Sequence, residues 1–209
     1  SGGELCLGCH EPLAKRIAAK GATVHAPVQA GECERCHEPH AAAERKLLTA
    51  GVPALCAECH DLGSATIARA HAPWDVRAST CTSCHDPHAS RRAKLVGDVV
   101  HPPFDDRDCD TCHVRTSDGR PQVKPAIAAV CAECHDLGKP GHEPVRAGRC
   151  AQCHSPHASP RPHLALEASP ALCDRCHDRG RPAWKQTHAD AGAEGLACAD
   201  CHDGHMKKK

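Results

Sequence analysis

Apolar residues in this chain occur in short runs rather than in long periodic stretches. The segments VPALCAECHDLG, KPAIAAVCAECHDLG and SPALCDRCHDRG each have a proline near the start and a glycine at the end, as at the two ends of a helix. Helices this short are marginal in isolation. No stretch alternates apolar and polar residues for long enough to indicate a sheet. The pattern predicts mostly coil with short α-helices and no substantial sheet.

The composition excludes an ordinary core of side chains. The chain has 209 residues, but its only large aromatic residues are Phe104, Trp74 and Trp184. The 16 Gly and 17 Pro are typical of loops. The 18 Cys indicate a disulfide scaffold, a metal protein or a covalent cofactor. Something other than side chains must therefore fill the interior.

Every cysteine belongs to the same five-residue frame, Cys-x-x-Cys-His. A zinc ribbon or a disulfide framework gives no reason for a histidine directly behind each second cysteine. The frame is the attachment signature of c-type haem, in which two thiols form thioethers and the adjacent histidine binds the iron as proximal ligand. The nine frames therefore predict nine covalent haems c.

The residues of the nine frames follow directly from the sequence. The attachment cysteines are Cys6 and Cys9, Cys33 and Cys36, Cys56 and Cys59, Cys81 and Cys84, Cys109 and Cys112, Cys131 and Cys134, Cys150 and Cys153, Cys173 and Cys176, and Cys198 and Cys201. The proximal ligands, in the same order, are His10, His37, His60, His85, His113, His135, His154, His177 and His202.

The remaining ten of the 19 histidines can complete the irons. Nine of them occupy regular positions, either three residues behind a frame's histidine or eight to ten residues ahead of a frame. The trailing ones are His40, His88, His157 and His205, and the upstream ones are His25, His71, His101, His142 and His188. His163 has no such relation and is interpreted as a non-ligand. The count predicts bis-histidine coordination throughout.

A repeat organises these positions. Shifting the chain by 117 residues superposes His25 on His142, Cys33 on Cys150 and His88 on His205. The shift predicts a four-haem module at 1–97, a single-haem insert with a linker at 98–125, and a second four-haem module at 126–209.

The spacing also predicts which histidines share an iron. A trailing histidine lies on nearly the same helical face as its own proximal ligand, so we assign it to the other haem of its pair. The predicted pairs are His10 with His40, His37 with His25, His60 with His88, His85 with His71, His113 with His101, His135 with His157, His154 with His142, His177 with His205, and His202 with His188.

The frames, with CHxPH or CHDGH in alternate members, resemble those of multihaem c-type cytochromes with doubled Cys-x-x-Cys-His motifs, over essentially the whole chain. That group includes periplasmic electron carriers and extracellular cytochrome filaments. The resemblance implies an elongated chain wrapped around a haem stack, electron transfer, and a place outside the cytoplasmic membrane, extracellular or at the cell surface, or else periplasmic.

Three functions follow from this resemblance. A subunit of a conductive filament, joined end to end, is the first; a soluble periplasmic shuttle is the second. A multihaem enzyme is the third, although no frame lacks its histidine and distal ligands are not short. The partners are then other redox proteins or extracellular electron acceptors. With 26 basic and 26 acidic residues, we expect no nucleic acid partner, and no apolar run is long enough for a membrane span.

Overall fold

The computed structural model describes residues 2–136, 141–192 and 196–205. Within these ranges the chain is mostly coil with short helices and little sheet, which confirms the predicted fold class. The helices are α1 (Gly2–Cys9), α2 (Glu11–Ile17), α3 (Ala26–Gln29), α4 (Ala54–Ala57), α5 (Ala65–His71), α6 (Pro102–Asp105), α7 (Ile127–Ala132), α8 (Glu143–Arg146), α9 (Ala171–Asp174), α10 (Pro182–Asp190) and α11 (Cys198–Cys201).

Prolines place three upstream histidines at helix starts. His25, His101 and His142 are the N-cap residues of α3, α6 and α8, and each helix has proline at its first or second position. Proline is favoured there because its fixed φ suits the first turn and the missing N–H has no partner within the helix. His71 and His188 instead lie in the last turns of α5 and α10.

The strands are only two or three residues long. They are β1 (Thr23–Val24), β2 (Ala89–Ser90), β3 (Val99–Val100), β4 (His113–Arg115), β5 (Pro121–Val123) and β6 (Ala158–Ser159). β1 pairs with β2, β3 with β6, and β4 with β5, all antiparallel. The segment interpreted as a linker thus contains the β4–β5 hairpin.

The side-chain core is very small. Among the described residues, Ala89 and Ala158 are the only buried hydrophobic ones, together with the buried polar residues Asp86, Ser90, Ser155 and Ser159. Burial of apolar area is the main favourable term in folding, and two alanines supply little of it. The structure agrees with a chain whose interior is completed by another group.

The chain forms two compact units. Unit 1 comprises residues 1–124 with 157–160, and unit 2 comprises residues 125–156 with 161–209. The division into modules at 1–97 and 126–209 with an insert between them remains a prediction. No helix within the described ranges is long and apolar enough to cross a membrane.

Candidate haem-binding sites

One hydrogen bond recurs in the Cys-x-x-Cys-His frames. In eight of them the backbone N–H of the histidine donates to the carbonyl of the first cysteine at 2.9–3.0 Å. This is a helical turn, and residues three and four apart in a helix lie on one face. The two thiols and the imidazole can therefore approach a single planar group from the same side.

All eighteen predicted attachment cysteines lie within the described residues, and each is a free thiol. Every one of them is thus available for a thioether, and attachment of haem at each pair remains a prediction. The second cysteine of a frame differs in exposure from frame to frame. The exposed ones are Cys9, Cys59, Cys134, Cys176 and Cys201, and the partly exposed ones are Cys36, Cys84, Cys112 and Cys153.

A left-handed turn holds the proximal histidine in three frames. Nine residues after His37, His85 and His154, the carbonyls of Lys46, Lys94 and His163 lie 2.8–3.0 Å from the histidine Nδ1. The residues that supply these carbonyls have φ of 61°, 58° and 56°, and the following leucines are also left-handed. An Nδ1–H bonded to a carbonyl fixes the ring and leaves Nε2 for a metal.

His163 therefore has a role that its side chain does not explain. Its carbonyl oxygen accepts from His154 in the way that the Lys46 oxygen accepts from His37. The sequence signal is the position itself, since the 117-residue shift places His163 on Lys46.

Upstream histidines are fixed in the same manner. Nδ1 of His25 faces the carbonyl of Pro87 at 3.0 Å, and Nδ1 of His142 faces that of Gly204 at 3.0 Å. His71 and His188 bond to the carbonyls four residues earlier, of Ile67 and Trp184. The acceptors again differ by 117 positions.

Seven pairs of imidazole rings are spaced for a shared metal. Their centres are 5.7–6.2 Å apart, whereas Trp184 and His188, which stack face to face, are 3.8 Å apart. Two imidazoles that bind one metal from opposite sides, with bonds of about 2 Å, have ring centres about 6 Å apart. The pairs are His25–His60, His37–His88, His71–His85, His113–His157, His142–His177, His154–His205 and His188–His202. The residues thus fit iron held by two histidines.

Two of these pairs, His71–His85 and His188–His202, are the ones assigned from spacing. Five pairs correct the other assignments. In the first module His37 faces His88 rather than His25, and His60 faces His25 rather than His88. In the second module His154 faces His205 rather than His142, and His177 faces His142 rather than His205. His113 faces His157, which replaces the predicted pairs His113 with His101 and His135 with His157.

The physical reason for these corrections is strand pairing. β1 pairs with β2, and the His25 N–H donates to the His88 carbonyl at 3.0 Å. These residues are far apart in sequence, so the spacing between neighbouring frames cannot predict their contact. Between His10 and His40, both described, the structure has no ring contact, and their pairing remains a prediction.

The pair His113–His157 lies in apolar surroundings. The two Nε2 atoms are 3.4 Å apart, and both Nδ1 atoms are buried without an acceptor. Phe104 lies 5.3 Å from the His157 ring and Trp74 lies 6.2 Å from the His113 ring. Burial lowers the pKa of His157, with the nearby His113 adding to the effect. The neutral ring is the form that binds a metal.

A buried ion pair supports His88. Asp86, 6% exposed, is bonded to Arg16 Nη2 at 2.5 Å, and its Oδ1 accepts the backbone N–H of His88 at 2.9 Å. Burial raises the pKa of Asp86, but the hydrogen bonds from His88 and the charge of Arg16 outweigh it and lower the pKa to about 2. The carboxylate therefore stays ionised, 3.6 Å from Nδ1 of His88.

Cysteines of successive frames lie side by side. Burial is the main cause that raises the pKa of Cys33, and a hydrogen bond with Cys6 adds to it. The same arrangement joins Cys56 to Cys81, where the pKa of Cys56 is raised to about 11, and Cys173 to Cys198. The second cysteines Cys36 and Cys84 also have raised pKa values. Burial is the main cause, and the charges of Cys59 and Cys109 in other frames add to it.

These sulfurs would become thioethers at haem edges. The frames at Cys6 and Cys33, those at Cys56 and Cys81, and those at Cys173 and Cys198 therefore lie next to each other. Met206 adjoins His205 and could replace it as a ligand, and the terminal MKKK is a compact basic run that could dock an anionic partner. Both lie outside the described residues.

The chain matches the family described as "Doubled CXXCH motif". The matched residues are 25–64, 71–99, 101–139 and 142–182, which together make up more than half of the sequence. No curated protein and no solved structure matches the chain. Haem c bound covalently through these motifs serves electron transfer, and multihaem c-type cytochromes are extracytoplasmic. The chain thus belongs to the doubled CXXCH family of multihaem c-type cytochromes.

Proposed function

We propose that the protein carries electrons through nine covalent haems c, each with two histidine ligands, as a subunit of an extracellular conductive filament. The main observation that supports an electron carrier with nine haems is the set of seven imidazole pairs whose ring centres are 5.7–6.2 Å apart. The frame at Cys6 draws its second ligand from His40, the partner predicted from spacing.

The cysteines, the histidines and the backbone have different roles in binding haem. The cysteines would anchor each group covalently, the paired imidazoles would hold its iron, and the backbone carbonyls orient the imidazoles. When bound, haem iron supplies one-electron chemistry between its ferric and ferrous states. Since two ligands close the iron, no position is left for a substrate. This supports a carrier rather than an enzyme.

The cysteine contacts support a route for electrons. Sulfurs of neighbouring frames are hydrogen-bonded in the pairs Cys6 with Cys33, Cys56 with Cys81 and Cys173 with Cys198. The chain thus holds the redox groups of each of these frame pairs close together.

The filament is the finer part of the proposal. The outermost frames begin at Cys6 and Cys198, and their second cysteines, Cys9 and Cys201, are exposed. The second cysteines Cys59, Cys134 and Cys176 are exposed as well. Frames that are open to solvent support contact with a second copy of the chain, and extracellular acceptors or other redox proteins are the partners. A periplasmic shuttle is the second candidate, because the predicted ligands are complete within one chain and need no donated histidine.

The test combines mass spectrometry, absorption spectra and negative-stain electron microscopy on one sample of purified holoprotein. We expect nine haems per chain, a purely low-spin spectrum and filaments. Single particles with that spectrum would replace the filament with the shuttle. A high-spin component would support the enzyme, and fewer haems would contradict the count.

A double variant tests the ligand pairs. We expect His88→Ala to open one iron and produce one high-spin haem. In a background with both Cys33→Ala and Cys36→Ala that component should vanish, because its haem is the one that His88 completes. His25→Ala is the matched control, since its high-spin component should persist in the same background. Persistence with His88→Ala would restore the pairing of His88 with His60.

A further inference from the structure

Two buried imidazole nitrogens in unit 1 have no hydrogen-bond acceptor. They are Nδ1 of His113 and Nδ1 of His157, and they belong to the same ring pair. Among the described residues the only other buried side-chain nitrogen or oxygen without a partner is Nε of Arg16. Buried N–H groups without acceptors are rare in proteins, so two on one pair of rings distinguish this site.

We propose, on the basis of the nine-haem function above, that the haem at Cys109 and Cys112 has the most positive reduction potential in unit 1 and holds the first electron to enter that unit. The oxidised iron takes up one electron and becomes ferrous; no bond forms or breaks. The reductant in the cell is another redox protein, and in the test it is dithionite.

The missing hydrogen bonds are the first argument. An Nδ1–H bonded to an acceptor makes the imidazole more basic and a better donor to the metal, which stabilises the ferric state. In unit 1 the pairs His37–His88, His25–His60 and His71–His85 each contain at least one ring whose Nδ1 meets a backbone carbonyl at 2.8–3.0 Å. The pair His113–His157 has none, so its ferric state is the least stabilised of these four.

Apolar surroundings are the second argument. Phe104 packs 5.3 Å from His157 and Trp74 lies 6.2 Å from His113. A ferric porphyrin core with two neutral imidazoles carries one positive charge, and reduction removes it. A low dielectric disfavours the charged state, so burial also shifts the equilibrium towards the ferrous form.

Charge is the third argument. The guanidinium of Arg115 lies 5.4 Å from the Trp74 ring, which itself contacts His113. This positive charge favours an added electron. The acidic residues Asp106, Asp108 and Asp110 beside the frame oppose it, and these three carboxylates and Arg115 are all exposed. Water screens exposed charges strongly, so the buried N–H groups should outweigh them.

The site at Cys33 shows the opposite arrangement. His37 donates to the Lys46 carbonyl, and His88 lies 3.6 Å from the buried carboxylate of Asp86. Both features stabilise the ferric state, although Arg16 offsets part of the carboxylate charge. Unit 1 therefore contains one haem position that favours a low reduction potential, at Cys33, and one that favours a high reduction potential, at Cys109.

A difference titration tests the proposal. Potentiometric titration with dithionite is carried out on the holoprotein and on the double variant with Cys109→Ala and Cys112→Ala, and the component lost in the variant gives the potential of that haem. The matched controls replace both cysteines with alanine in the frames at Cys6, Cys33, Cys56 and Cys81. We expect the first variant to lose a more positive component than any control. A component equal to or more negative than one of theirs would overturn the proposal.

A second variant keeps every haem. We expect Arg115→Gln to lower the reduction equilibrium constant of the most positive component of unit 1 about threefold, or about 30 mV at 59 mV per tenfold. Arg120→Gln, whose residue pairs with Asp118 at 3.2 Å, should leave that component unchanged. If Arg115→Gln leaves it unchanged too, the inference is wrong.

Mass spectrometry distinguishes failure of the proposed nine-haem function from failure of this inference about the reduction potential. Frames without haem would contradict the proposed function, whereas nine attached haems with unaltered potentials would contradict this inference alone.

Discussion

At the residue scale, backbone atoms do much of the positioning. The carbonyls of Lys46, Lys94 and His163 orient proximal histidines from left-handed positions with φ near 60°. For a residue other than glycine this conformation costs on the order of 1 kcal/mol. The same cost occurs at three equivalent sites, so the turn is a repeated device for holding an axial ligand.

His163 gives the sharpest test of that device. His163→Asn should keep the low-spin spectrum and the stability, because asparagine tolerates left-handed φ. His163→Val should lower the free energy of unfolding by about 1–2 kcal/mol, because a β-branched residue is disfavoured there. Denaturant unfolding of the holoprotein, followed at the haem absorption band, measures both. The control is Ala165→Val, at an extended position with φ −63° and ψ 138°. A high-spin haem in His163→Asn would instead make the side chain a ligand.

The charge of Asp86 contributes to stability. Its pKa is about 2 in the folded chain, below the usual value of about 3.9. The stabilisation is therefore complete above about pH 4 and is lost as the pH falls through about 2. His88, through its side chain and its backbone N–H, and the charge of Arg16 supply it.

We expect Asp86→Asn to reduce the free energy of unfolding by about 2 kcal/mol at pH 6, and the difference from the unmodified protein to disappear near pH 2. Glu38→Gln is the matched control, because Glu38 occupies the same place in CHEPH but its side chain is 51% exposed. Denaturant unfolding at several pH values measures both effects. A difference that does not change with pH would show that packing, not charge, explains the loss.

At the scale of elements, very short strands decide which histidines meet. β1 with β2, and β3 with β6, join the backbone just before an upstream histidine to the backbone just after a trailing one. The N–H groups of His25 and His101 then donate to the carbonyls of His88 and His157. Two-residue strands have little stability alone, so close backbone packing must support them.

Gly97 is where this packing is closest. A Cβ added there would lie 2.7 Å from the backbone nitrogen of Ser159 in β6. Gly97→Ala should therefore destabilise the holoprotein by about 1–3 kcal/mol, measured by urea unfolding. Gly2→Ala is the control, since a Cβ at Gly2 meets nothing within 4 Å. Equal stability of the two variants would mean that β3 and β6 are not packed as described.

At the scale of the whole molecule, the haems replace the core. The two buried alanines of the described chain, Ala89 and Ala158, cannot offset the entropy of ordering 209 residues. Ligands that bind only the folded state stabilise it, and here they are covalently attached.

The chain produced without haem attachment should therefore be unfolded. We expect a far-UV circular dichroism spectrum typical of coil and no cooperative thermal transition, while the holoprotein from the same gene shows helix and a cooperative transition. A cooperative transition in the haem-free chain would show that the polypeptide has a core of its own.

Sequence reasoning reached the frames and the fold class but not most of the ligand pairs. The frame is local: four residues separate the first cysteine from the histidine, and one helical turn brings them together. The pairs His71–His85 and His188–His202 also lie close in sequence. His37 and His88 are 51 residues apart, and a rule based on the spacing of neighbouring frames cannot predict a contact between residues so distant in sequence.

The sequence by itself determined the chemistry of this protein, because haem attachment and proximal ligation need only a short segment with fixed spacing. It also determined the coil-rich fold, since so few apolar side chains cannot form a larger core. Only the tertiary structure decided which distal histidine faces which frame and where the imidazole N–H groups find acceptors. Those features depend on backbone pairing between distant segments, such as β1 with β2, and on burial, neither of which is encoded in local spacing.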